Sequence, residues 1–242
     1  MTVGIPLFDA NGELKYAVCF NTVSMEQINT IQRNYRHLQD SLQQYSQEIA
    51  ELRLRATAKA DSVQAAEAML SPVVAQVRQT LGEYVYGVDV QDLAQVCMEE
   101  LLKRGLTLAT AESCTGGLVA RRITALPGAS RVYRGGVVSY WTEVKAAVLG
   151  VPQEILDTYG AVSEPTAWAM AEGARAITGA EIAVSVTGVA GPDPDERNNP
   201  VGLVFIGLAT PEGTFCRRTE SGRRRRDRIQ DLAANHALDM VR

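Results

Sequence analysis

Apolar positions change their spacing several times along this chain, and each change marks a different kind of element. Residues 5–20 hold two short strand-like runs, IPLFD and LKYAVCF, joined by Asp9-Ala10-Asn11-Gly12. An Asn-Gly turn between such runs predicts a β-hairpin. Farther on, Ile28, Ile31, Tyr35, Leu38, Leu42, Tyr45, Ile49 and Leu52 recur in alternating steps of three and four. With only two apolar positions per heptad, this stripe predicts a coiled-coil helix over 25–55 that pairs with another helix, most simply a second copy; a solvated helix lying on its own domain is the alternative. Residues 53–87 read as a strand, a cap at Asp61 or Ser62, and an amphipathic helix carrying Ala66, Met69, Val73, Val77 and Leu81.

After Gly87 helices and buried strands interleave. A helix over about Val90–Lys103 precedes the strand Leu106–Ala111, and a second helix begins near Gly117. Further strands are expected at Gly136–Tyr140, Ile182–Thr187, Leu203–Ala209 and Thr214–Arg218, with helices near Glu143–Leu149, Glu164–Ile177 and Asp227–Val241. This alternation predicts an α/β fold, a layered α/β/α domain. Late strands with no helix between them make its sheet a mixed one. The expected order is a strand remnant over 1–24, the coiled-coil helix over 25–55, a partial α/β region over 56–87 and the main domain over 88–242.

Composition adds limits. With 46% hydrophobic and 21% charged residues in 242, the chain is that of an ordinary globular protein rather than a disordered one. No apolar run approaches the ~18 residues of a membrane span, so no membrane partner is expected. The opening MTVGIPLFDANGELK lacks the basic and apolar regions of a secretion signal, which predicts a cytoplasmic location. A net charge of −4 argues against a general nucleic-acid binder and favours small-anion partners, although Arg223 to Arg226 form a basic run. Cys19, Cys97, Cys114 and Cys216 are scattered with no CxxC pair, so neither a metal site nor a disulfide framework is expected.

Candidate chemistry gathers in three turns. Ala109-Thr-Ala-Glu-Ser-Cys-Thr-Gly-Gly117 follows a strand and opens a helix, so hydroxyls and backbone N–H groups meet at a positive helix N-terminus, a seat for a phosphate or a developing oxyanion. Gly116 and Gly117 let the backbone approach a ligand; a capped helix with a glycine turn is the plainer explanation. Ser185-Val-Thr187-Gly188-Val-Ala190-Gly191-Pro192 and Gly135-Gly136-Val-Val-Ser139-Tyr140 end two other strands. Meeting at one edge of the sheet, the three would form a single polar pocket.

In that order AESCTGG, GGVVSY with Lys145 five residues on, GAVSE (Gly160–Glu164), TGVAGP and PVG (Pro200–Gly202) resemble the CinA C-terminal family over about 155 residues. The resemblance implies hydrolysis of the carboxamide of nicotinamide mononucleotide to nicotinate mononucleotide and ammonia, in pyridine nucleotide salvage, with no metal or organic cofactor. It assigns the catalytic residues to Ser113, Tyr140 and Lys145. Residues 53–87 resemble the end of the middle region of full-length CinA proteins, and residues 5–20 resemble the closing strands of a PAS-type sensor domain.

Amide hydrolysis needs a nucleophile, a base, an acid for ammonia and an oxyanion site. The two histidines, His37 and His236, lie in the heptad and final helices, whereas a lysine whose pKa burial lowers serves as a base, which favours Lys145. Ser113 then attacks, Lys145 takes its proton directly or through Tyr140, Tyr140 or Lys145 protonates ammonia, and N–H groups around Cys114 to Gly117 hold the oxyanion. Cys114 is the rival nucleophile. Glu112 either orients Lys145 or bonds backbone. Thr115, Thr187 and Gly188 are expected at phosphate or ribose, with Gly136, Ala190 and Gly191 lining the pocket and Arg226 facing the 5′-phosphate.

Two departures from the family pattern stand out. In its R-x-x-[V/I]-R pattern Gln230 replaces the second arginine, which weakens one expected cation for the phosphate. The Asp193–Asn199 loop replaces a glycine-rich turn and is expected to alter substrate fit. A rival function is a regulatory protein that senses a pyridine nucleotide and signals through its coiled coil. A further reading makes residues 1–52 a fusion accident. The expected partners are a nucleotide substrate and further copies of the chain, as a homodimer or higher homo-oligomer.

Overall fold

In the computed structural model, which describes residues 6–8, 14–17 and 54–242, the chain divides into two units, Met1–Asp89 and Val90–Arg242. Within the first, β1 (Pro6–Phe8) and β2 (Leu14–Ala17) pair antiparallel, Leu7 opposite Tyr16, as the hairpin chemistry predicts. Helix α1 (Val63–Leu81) starts where Ser62 accepts the N–H of Ala65 at 3.1 Å, a serine N-cap. The strand expected just before it shrinks to a single bridge residue, Thr57. The helix expected over 25–55 lies outside the described residues apart from Leu54 and Arg55, as does the hairpin turn.

The second unit is built on a five-stranded mixed sheet. Its elements are α2 (Leu93–Arg104), β3 (Leu108–Glu112), α3 (Leu118–Thr124), β4 (Tyr133–Val138), α4 (Thr142–Leu149), α5 (Gln153–Tyr159), α6 (Glu164–Thr178), β5 (Ile182–Gly188), β6 (Leu203–Thr210), β7 (Gly213–Glu220) and α7 (Arg226–Val241). Strand order is β4-β3-β5-β6-β7, with β3 parallel to both neighbours and β5, β6 and β7 successively antiparallel. Helix α5 was not expected, because QEILDTY is too short to show a helical period. Strand β4 starts at Tyr133, ahead of the Gly135-Gly136 pair.

Burial follows position in the sheet. Central β3 is buried at every residue, whereas edge strand β4 alternates, as a strand covered on both faces and one at the rim must. Alternation also sorts the layers. Ala109, Ala111 and Ala183 pack with Leu149, Leu156, Met170 and Ala174 of α4, α5 and α6. The opposite side chains of β3 face α3, which packs with α2 against α7.

Helix α6 sits close to its neighbours because two glycines leave room. A Cβ on Gly173 would lie 1.9 Å from the Leu149 carbonyl oxygen at the end of α4, and one on Gly207 in β6 would lie 2.4 Å from the Ala167 carbonyl oxygen. Both obstacles are backbone and cannot swing aside. Gly173→Ala should therefore lower unfolding free energy by about 1–3 kcal/mol, the usual range for overpacking. Urea denaturation checks this through a lower midpoint at unchanged slope.

Candidate active site

Because β3, β4 and β5 run parallel, their carboxyl ends share one edge of the sheet, and the three polar turns meet there. Ser113 follows β3, its N–H donating to the Val186 carbonyl of β5 at 2.9 Å. Ser139 and Tyr140 follow β4, and α4 then carries Lys145 back beneath the edge. The lysine Nζ lies 3.0 Å from Ser113 Oγ and donates to the Ser139 carbonyl at 2.6 Å. Both ends of the pair are buried, Lys145 at 1% exposure and Ser113 at 8%.

No carboxylate stands among the influences on Lys145, so burial decides its titration, bringing its pKa down from 10.5 to about 8. Near neutrality about one molecule in ten already holds the free amine, whose lone pair can accept the Ser113 proton while an N–H stays on Ser139. Cys114 moves the other way. Burial pushes its thiol up to about 12, so beside a ready lysine–serine pair it stays protonated, which disfavours it as nucleophile. Burial lowers the pKa of His236 on α7, and Arg217 acts in the same direction.

Several expected ligand groups are occupied by the protein itself. The Glu112 carboxylate accepts the N–H groups of Gly117, Val119 and Ala120 at 3.0, 3.0 and 2.8 Å. Of its two expected roles it takes the backbone one, filling the start of α3 with a built-in anion. The N–H of Gly116 donates to the Ser113 carbonyl. Of the donors expected around the nucleophile, only those of Cys114 and Thr115 have no oxygen acceptor among the described residues. Gly116 and Gly117 hold φ of 62° and 98°, the left-handed values that turn the chain so tightly after Ser113.

Thr187 donates its hydroxyl to the Ala161 carbonyl at 2.6 Å and is buried, which removes it as a free donor to ribose. Gly188 pairs with Val204 inside the sheet. At Gly136 a Cβ would strike Thr110 Oγ1 at 2.1 Å, so packing alone requires that glycine. Ala190 is buried. Thr115 keeps a buried hydroxyl with no partner among the described residues, as does Ser139. Tyr140 is half exposed, and its hydroxyl accepts from Arg226 rather than meeting Ser113 or Lys145. Arg226 also donates to the Gly191 carbonyl at 2.7 Å, tying the β4, β5 and α7 ends of the site together.

Two contributors escaped sequence reasoning. The Ser139 carbonyl is a backbone group that any residue would supply, so no residue type could signal it. Gln230 donates through Nε2 to the Cys114 carbonyl at 2.8 Å instead of simply lacking a charge. The departing loop is braced: Asp195 accepts the N–H groups of Arg197 and Asn199. Arg197 in turn caps the carbonyls of Leu156, Asp157 and Thr158 at the end of α5.

Among the described residues no group of three or more His, Cys, Asp or Glu is arranged to hold a metal ion. No helix there is long and apolar enough to cross a membrane.

Residues 90–242 match the family described as the CinA C-terminal domain, and residues 27–87 match the damage-inducible protein CinA KH domain. The second match begins within the stretch whose heptads predict a coiled coil. A protein of Caldanaerobacter subterraneus subsp. tengcongensis, provisionally named as competence-damage inducible, is 48% identical over 190 residues, covering 78% of this chain and 45% of that protein. A CinA-like protein of Desulfovibrio desulfuricans is 47% identical over 195 residues, covering 80% and 46%. The chain thus spans a little under half the length of these relatives. The crystal structure of the competence/damage inducible protein CihA of Agrobacterium tumefaciens superposes with a TM-score of 0.60 at 39% identity, covering 64% of this chain and 94% of that one. A CinA superfamily protein of Escherichia coli does so with 0.59 at 30%, covering 62% and 91%.

Replacing the buried anion tests its structural role. Glu112→Gln turns an N–H toward donors that now meet carboxylate oxygen, and should lower unfolding free energy by about 2–4 kcal/mol. The shift of the urea midpoint measures it.

Proposed function

This chain belongs to the CinA C-terminal domain family, and from that premise we propose that its second unit hydrolyses the carboxamide of nicotinamide mononucleotide to nicotinate mononucleotide and ammonia. One observation carries the reading: a buried lysine with its pKa near 8 lies 3.0 Å from a serine hydroxyl at the mouth of three polar turns. That pair suits attack on an amide, since the lysine can both receive the serine proton and return it to the leaving nitrogen. The family names speak of competence and damage and say nothing of chemistry. The substrate is drawn from the family resemblance.

In the proposed cycle Ser113 Oγ bonds to the carboxamide carbon while its proton passes to Lys145. The carbonyl oxygen becomes an oxyanion facing the N–H groups of Cys114 and Thr115. Lys145 then protonates the departing nitrogen, ammonia leaves, and the acyl ester remains on Ser113. Water, activated by the neutral lysine, attacks that ester, and the serine proton is restored as nicotinate mononucleotide departs. Arg226, which has no carboxylate partner among the described ion pairs, supplies a cation for the 5′-phosphate, and Tyr140 holds that guanidinium. Tyr140 therefore acts in substrate binding, while Lys145 serves as both base and acid.

Purified full-length chain should release ammonia from nicotinamide mononucleotide. Ser113→Ala and Lys145→Ala should each lose about 1,000-fold or more in kcat, and Ser113→Ala should retain the wild-type unfolding midpoint. Retained turnover in Ser113→Ala removes the mechanism, and tight nucleotide binding without ammonia release by the wild type favours a sensor. The pH dependence follows from the sign of the lysine shift. Protonated Lys145 is inactive as a base, so kcat/KM should rise about tenfold per pH unit below about 8 and level off above it. A profile flat from pH 6 to 9 would exclude Lys145 as the base.

A further inference from the structure

The Cys114–Thr115 peptide is held from one side only, and by a side chain. Its carbonyl accepts from Gln230 Nε2 at 2.8 Å, while its N–H, that of Thr115, has no oxygen acceptor among the described residues. In a trans peptide the C=O and N–H point in opposite directions. A bond that pins the carbonyl toward α7 therefore pins the N–H away from it. Apart from Cys114, the other N–H groups of the turn are committed elsewhere: that of Ser113 to Val186, that of Gly116 to Ser113, and that of Gly117 to Glu112. The Ser113 and Thr115 carbonyls on either side accept from Gly116 and Leu118 at 3.0 and 3.1 Å, so, unpinned, this peptide alone would be free to rotate.

Helix α7 is well placed to act as the fixed post. Its Ile229, Ala233, Ala234, Ala237 and Leu238 are buried. Arg122 of α3 bonds Asp231 at 2.8 Å and also reaches Asn235, so α7 is braced to the helix that follows Ser113 within the two turns that begin at Gln230.

We propose that Gln230 is a positioning residue for the amide hydrolysis: through the Cys114 carbonyl it aims the Thr115 N–H at the oxyanion formed when Ser113 attacks. This rests on the proposed Ser113 chemistry. It also assigns Gln230 a different part from the weakened phosphate cation that the sequence pattern implies. A group that aims an oxyanion donor acts on the transition state and leaves the bound substrate alone, so its loss falls on kcat.

The test uses full-length wild type, Gln230→Met, which keeps length without a donor, and Gln230→Arg, which restores one. Two readouts are taken: ammonia release from nicotinamide mononucleotide, and the rate at which a fluorophosphonate labels Ser113, followed by intact mass. In labelling, Ser113 Oγ bonds to phosphorus, the P–F bond breaks, fluoride leaves and Lys145 takes the hydroxyl proton. The probe thus reports nucleophile and oxyanion site independently of the substrate assignment. Expected are a fall of roughly 10- to 100-fold in kcat and in labelling for Gln230→Met, KM within about threefold, an unshifted pH inflection, and recovery to within about fivefold in Gln230→Arg.

Gln230→Met matching wild type in both readouts overturns the proposal while leaving the hydrolase reading intact. So does a loss carried by KM alone, or no recovery in Gln230→Arg. Slowed labelling in Gln230→Met, with no ammonia from the nucleotide even in wild type, supports the positioning role and removes only the substrate. If wild type neither labels nor turns over, both proposals fall.

Discussion

A lysine ammonium taken out of water with no carboxylate beside it is the constraint around which the second unit is organised. Lys145 reaches the sheet edge from α4, and the groups that meet it are one carbonyl and one hydroxyl. Neither compensates a full positive charge, so the neutral amine is favoured and the pKa falls. For that to hold, the edge must stay closed to solvent and free of anions pointing at Nζ. The parallel run of β3, β4 and β5 supplies the closure, and α6, drawn close by Gly173 and Gly207, fixes α4 against the sheet.

Anions are present near the site, yet directed elsewhere. Glu112 is the residue immediately before Ser113 and is as buried as the lysine, and a turn of its side chain toward Nζ would hold Lys145 charged. Three backbone N–H groups at the start of α3 prevent that by taking both carboxylate oxygens. The same bonds remove the helix terminus as a seat for a substrate phosphate. Charge for such a phosphate then has to come from outside the turn, and Arg226, lying across Tyr140 and Gly191, is the guanidinium that bridges the loops.

Much of this arrangement was legible in the sequence because it rests on residue types. Alternation and turn chemistry located every strand of the mixed sheet within a few residues, and the scarcity of histidine directed attention to Lys145. What stayed hidden belongs to the backbone or to packing. GAVSE reads as a functional motif, but Ser163 caps α6 and, with Thr166, donates to the Gly160 carbonyl. PVG likewise seats Gly202 against the Gly222 backbone. Gly136 and Thr187 look like ligand contacts in a string of letters, whereas one makes room for Thr110 and the other bonds Ala161. Hydroxyl and glycine positions signal a special local geometry, and that geometry is as often a cap or a close approach as a binding group.

The substitution at 230 shows why the distinction matters for α7. Arg226 and Gln230 are four residues apart, hence on one helical face, and a sequence reader sees one cation kept and one lost. In space the two reach different things, a tyrosine hydroxyl with the Gly191 carbonyl in one case and the Ser113 turn in the other. A guanidinium on the Cys114 carbonyl would add a positive charge beside a lysine whose usefulness depends on how far its pKa has fallen. It would depress that pKa further. A neutral amide gives the same hydrogen bond with no field, so the peptide at 114–115 can be held while burial alone continues to tune Lys145.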